Sequence, residues 1–193
     1  MATEDMFTRG TVNEALSQGN ARAWVNLRSA GFNPIGAAGP NLPRMPDAYN
    51  GGLYGKRVSR LQKGDLLFRF SDSLSVRGDN RFAGQWWLDA ECFATIRRAS
   101  RLENSDFIET ARSFLGVLND WSDMKNLVGG VLTADFWCFK GLTGGFEGVD
   151  KMGRHQRMSG PARTDVVQIF VPGGLTLANF TEVRDNILTS GIV

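Results

Sequence analysis

Apolar residues fall along this chain in two rhythms, short unbroken runs between turn residues and longer stretches that recur at threes and fours. Leu66-Leu67-Phe68-Arg69-Phe70 is the leading short run, entered through Lys63-Gly64-Asp65 and left through Ser71-Asp72-Ser73. So brief an apolar run between turn signals predicts a buried strand. Gln85-Trp86-Trp87-Leu88 predicts another, after a polar, glycine-punctuated loop over Ser75 to Gly84. Adjacent tryptophans on a strand point to opposite faces, so one fills the core and the other packs on protein or stacks on a ring. Asp135 to Phe139 is a third strand, and Asp165 to Val171 is the clearest, closed by Pro172-Gly173-Gly174. Helical spacing is expected over Thr11 to Ala30, with Gly31 as its stop. A second helix begins at Ala90 with Asp89 as its cap; Phe93 and Ile96 face inward, and Arg97, Arg98 and Arg101 face water or an acidic partner. A third runs from Asp106 to near Trp121 on Phe107, Ile108, Ala111, Phe114, Leu115 and Leu118.

The segments between these elements read as breakers. Gly129-Gly130 predicts a turn, Lys140 to Gly148 a glycine-rich hairpin or ligand-approaching loop, and Asp150 to Thr164 a mobile loop. One more short strand or helix is expected after Leu175. Four prolines between Phe32 and Gly55 give an extended arm, which Ile35, Leu42, Met45, Tyr49, Leu53 and Tyr54 hold against the domain surface. The expected organisation is thus an N-terminal helix and arm over residues 1–55, followed by one α+β domain over residues 56–193.

Composition narrows the chemistry. The 193 residues suffice for one real core, and 22 basic against 20 acidic residues are too evenly balanced for nucleic-acid binding by bulk charge. No apolar run is long enough for a membrane helix, and the acidic start Met1-Ala2-Thr3-Glu4-Asp5 is unlike a cleaved signal. The expectation is a protein that is cytoplasmic where it is made; secretion by a route without a cleaved signal would leave no trace. Cys92 and Cys138 are too few for a disulfide scaffold and lack metal-ligand spacing, so both are expected to be reduced and buried, with no metal site. His155 is the one histidine. It lies in a Gly-rich loop, and neither cysteine has surroundings that would activate a thiolate for a Cys/His hydrolase.

Arg69 is the one charge inside its apolar run. Burial leaves a guanidinium two outcomes: an internal pair, with Asp72 or Asp79 as the acid, or a fork kept open for an anion such as phosphate. Gln168, the polar interior residue of the late strand, is similarly either a structural link or a hand extended to a ligand.

The order of Leu67-Phe68-Arg69 with Ser71-Asp72-Ser73, then Leu142-Thr143-Gly144, then Gln168-Ile169-Phe170-Val171-Pro172-Gly173 resembles the ADP-ribosyltransferase superfamily, including the HopF type of bacterial effector. The resemblance implies strongly bent antiparallel sheets, helices inserted between the early and middle strands, and NAD as cofactor. It makes Arg69 the holder of the NAD phosphates, with Ser71 beside it. Thr143 and Gly144 would support the nicotinamide pocket, and Trp86 or Trp87 and Phe146 would wall the ring. Gln168 stands where the family has a glutamate, and Glu147 in the glycine-rich loop is the alternative carboxylate facing the ribose. The implied function is an effector or toxin that transfers ADP-ribose to a macromolecular target or hydrolyses NAD. The other reading is a catalytically inactive module of the same fold that binds a protein partner through its aromatic residues and arginine face.

Overall fold

A computed structural model describes residues 53–72, 81–117, 122–143, 146–149, 155–158, 166–184 and 187–188. The expected N-terminal helix and most of the proline-rich arm, together with Asp79, Gly144 and Trp121, lie outside the described residues. Among the described residues, nine strands and two α-helices run in the order β1 (Leu53–Leu61), β2 (Leu66–Ser71), β3 (Gly84–Asp89), α1 (Ala90–Glu103), α2 (Phe107–Leu115), β4 (Asn126–Leu132), β5 (Phe136–Thr143), β6 (Phe146–Val149), β7 (His155–Met158), β8 (Val167–Leu175) and β9 (Phe180–Arg184). This is the expected α+β class, with both helices between the early and middle strands.

Seven strands form one antiparallel sheet in the order β1-β5-β8-β3-β2-β4-β9, and β6 and β7 pair separately. Laid flat, such a sheet would hold its edge strands nearly 30 Å apart, at about 4.8 Å per strand. It curls instead: Leu61 of β1 and Phe180 of β9 belong to one buried cluster with Leu67, Trp87, Val128, Phe136, Cys138, Ile169 and Val171. The opposite, convex face carries Phe68, Leu88 and Leu127, covered by Cys92, Phe93 and Ile96 of α1 and Ala111, Phe114 and Leu115 of α2. Phe68 stacks on Phe93 with ring centroids 4.1 Å apart.

Helix ends follow local chemistry. The Asp89 carboxylate accepts from the Cys92 N–H at 2.9 Å, and Asp106 accepts from the N–H groups of Ile108 and Glu109. Helix α1 closes on Asn104 in the left-handed region, and α2 closes on Gly116, so α2 ends at Leu115, short of Trp121. Both cysteines are free and buried, as expected. Burial pushes both thiols up to about 12, which keeps them protonated near neutral pH.

Four other expectations are corrected. Gly129-Gly130 is no turn. Both glycines lie inside β4, where a Cβ would meet the Phe68 ring at 2.9 Å and the Phe180 side chain at 3.0 Å, so they are there to admit those rings. Pro172-Gly173-Gly174 does not close the late strand, which continues to Leu175 while its register with β3 slips between Gly84 and Trp86. Gly174 at φ +80° supplies the backbone that this irregularity needs. His155 to Met158, expected within a loop, forms β7 against β6. Leu53 and Tyr54, assigned to the arm, open β1 and pair with Thr143 and Leu142.

Candidate anion-binding site

The long sheet opens between β2 and β3. Those strands share only the pairs Leu67 with Asp89 and Phe68 with Leu88, whereas β2 stays paired to β4 from Leu66 to Ser71. Arg69 is the first β2 residue past the opening, and alternation turns it to the concave side with Leu67 and Ser71. Its guanidinium lies across the start of β3. Nη1 donates to the Trp86 carbonyl at 3.3 Å, and Cζ sits 5.9 Å from the centre of the Trp87 ring. The Trp87 indole N–H is already given to the Gly84 carbonyl at 2.9 Å, so the ring offers the arginine its face.

Gly84 makes this seat possible. A Cβ built there would fall 2.1 Å from Arg69 Cζ, so the guanidinium occupies the space a side chain would fill. Gly174 approaches from β8, where a Cβ would meet the Gly84 carbonyl oxygen at 3.1 Å. Read in sequence, Gly84 ends a loop; a glycine directly before a tryptophan-rich strand is the signal of close approach that would have found it.

Of the two outcomes open to Arg69, the internal pair with Asp72 is absent. Asp72 accepts from the Asp123 N–H at 3.4 Å through its carboxylate and from Asn126 Nδ2 at 2.6 Å through its carbonyl. Among the described residues no carboxylate lies within ion-pair distance of Arg69. Burial pulls its pKa down to about 10, with no neighbouring charge opposing the shift, and the group is still a cation at neutral pH. Its Nε is sealed from solvent without an acceptor, and so is the hydroxyl of Ser71 two residues on. Buried polar atoms left unpaired are few in folded proteins, and here two lie on the same side of one strand. A phosphate has acceptor oxygens for both, and reaching them requires the gap between β2 and β3 to widen, because both atoms are closed to solvent.

Of the other residues singled out in sequence, Trp86, Thr143 and Gln168 are not gathered around Arg69 through their side chains. Trp86 gives that site only its carbonyl; its ring packs edge-on against Phe170, 4.9 Å away. Trp87 is the tryptophan whose ring meets the arginine. Thr143 and Gln168 face the convex side. The Thr143 hydroxyl donates to the Phe114 carbonyl at 2.9 Å, and Gln168 Nε2 donates to the Leu115 carbonyl at 2.7 Å. Both therefore cap the last turn of α2, whose carbonyls lack helical partners. Of the two readings of Gln168, the amide is a structural link. Glu147 and Phe146 lie on β6, in the separate two-stranded sheet, opposite Arg157 and Met158. Among the described residues no cluster of metal-ligating side chains occurs, and no helix is long and apolar enough to cross a membrane.

The seat predicts a testable lesion. Gly84→Ala should displace the guanidinium and cost about 1–3 kcal/mol, because the added methyl overpacks a seat that Arg69 already fills. Affinity for pyrophosphate, read by calorimetric titration, should fall at least as far as in Arg69→Met. Unchanged affinity in a folded Gly84→Ala chain would mean that the seat plays no part in binding.

Set against protein families, curated proteins and solved structures, the chain matches none.

Proposed function

We propose that this protein is an ADP-ribosyltransferase-like effector module that takes NAD by its pyrophosphate at Arg69 and acts by binding, with a protein as its partner or target. The observation that carries this reading is a buried guanidinium held on a tryptophan face and a glycine with no acid beside it among the described residues. Keeping a desolvated cation unpaired costs stability, and a ligand anion offsets that cost.

Transfer or hydrolysis asks for more. Breaking the bond between nicotinamide and ribose builds positive charge on the sugar, which a carboxylate must stabilise. Gln168 carries no charge and spends its amide on α2. Glu147 is the carboxylate that the transferase reading would need.

Titrating the purified chain with NAD, and following nicotinamide release with and without cell extract, tests the proposal. Saturable binding without release is expected. Release that disappears in Glu147→Ala would replace the binding module with an enzyme, and no saturable NAD binding would remove both readings.

A further inference from the structure

A second arginine site lies on the convex side, where α1 turns into α2. A groove of about 570 Å³ opens there, lined by Arg97, Arg101, Asn104, Ser105, Asp106 and Phe107 among others. We propose that this groove binds a phosphate monoester through Arg97 and Arg101. The proposal does not rest on the ligand assigned to Arg69.

The hydrogen bonds of the corner leave its cations over. Ser100 Oγ donates to the Ser105 carbonyl at 2.8 Å, and Ser105 Oγ pairs with Thr110 Oγ1 at 2.7 Å. The Asp106 carboxylate also lines the groove, but one oxygen takes the N–H groups of Ile108 and Glu109, so its charge is set against the positive end of α2. Among the described residues, neither Arg97 nor Arg101 meets a carboxylate at ion-pair distance. Arg97 Nε is sealed from solvent with no acceptor. The end of α1 favours a cation at Arg101, in its last turn, and so accounts for that residue without a ligand. It does not account for Arg97, four residues earlier, with a desolvated donor facing nothing.

Spacing chooses the ligand class. Residues four apart on a helix have Cβ atoms about 5–6 Å apart, so Arg97 and Arg101 enter the same groove from neighbouring turns, within reach of one multidentate anion. Like charges so placed repel, which a bound dianion reverses. A carboxylate fills a single fork, whereas a phosphate monoester brings three acceptor oxygens and nearly two charges. Arg98, turned about 100° from Arg97, points to the other flank of α1 and serves as a control.

Calorimetry on the full chain carrying Arg69→Met, which removes the concave-face cation, tests this with a blocked Gly-phosphoserine-Gly peptide and with inorganic phosphate. Saturable binding is expected, weakened at least tenfold in Arg97→Gln/Arg101→Gln and unchanged in Arg98→Gln. Arg97→Lys, which keeps the charge and loses the fork, should fall between. Tighter binding of the peptide assigns a peptide-borne phosphate, and equal binding assigns the free ion. No saturable binding of either probe, an unaltered affinity in the folded double variant, or an equal loss in Arg98→Gln would overturn the site.

Discussion

Arg69→Met is expected to raise the thermal midpoint while lowering NAD affinity. The substitution removes a cation whose Nε has no acceptor and leaves an unbranched apolar side chain against the Trp87 ring. Relief of an unsatisfied buried donor is worth about 1–3 kcal/mol, and the lost contacts with the Trp86 carbonyl and the ring subtract part of it. A net gain of about 1 kcal/mol corresponds to a rise of roughly 2–4 °C for a chain of this size. Loss of a charge-assisted contact to pyrophosphate costs about 1.5–3 kcal/mol, at least a tenfold fall in affinity. Differential scanning calorimetry and NAD titration read the two effects on one sample. A midpoint that drops by several degrees would make Arg69 a structural residue, and unchanged affinity would end its role as an anchor.

Gln168→Leu should behave in the opposite way. Its amide is the donor to the Leu115 carbonyl at the end of α2, and the side chain is buried. Leaving that carbonyl unpaired costs about 1–3 kcal/mol, a fall of roughly 2–12 °C, and adding Thr143→Val removes the neighbouring bond to the Phe114 carbonyl as well. NAD affinity should stay within about twofold of wild type, because the residue faces away from Arg69. If the folded Gln168→Leu chain loses NAD affinity along with stability, the late strand contributes to the site after all, and the transferase reading gains.

Together the two variants separate a residue held ready for a ligand from one used up by the fold. The sequence alone places Arg69 and Gln168 in the same category, each a polar group inside an apolar strand. What distinguishes them is where the partner comes from. Gln168 finds a carbonyl at the end of α2, which packs on the convex face of the sheet and is distant in the chain. Among the described residues, Arg69 finds a backbone oxygen and the Trp87 ring on the next strand and no acid, where β2 and β3 part company after Phe68.

Much of the local structure was legible in the residues. Asp89 and Asp106 announced their helices, since a short carboxylate before a periodic stretch caps free N–H groups whatever the fold. The paired tryptophans divided between two faces because strand geometry leaves them no choice. Gly129-Gly130 and Pro172-Gly173-Gly174 were misread, because breakers mark turns only where nothing larger needs the room. Two aromatic rings need it at the first site, and a register slip needs it at the second.

The chain by itself thus did not mark β1, β4, β6 or β7 as strands, but it determined strands β2, β3, β5 and β8, where α1 and α2 begin, and that a charge would be buried on β2. Those are local matters of periodicity, capping and backbone freedom. Only the tertiary structure decided that the sheet curls and splits beside Arg69, that Gly84 leaves room for its guanidinium, and that Thr143 and Gln168 turn away to hold α2. Each of these depends on partners far apart in the chain, and local residue patterns carry no record of which distant groups will meet.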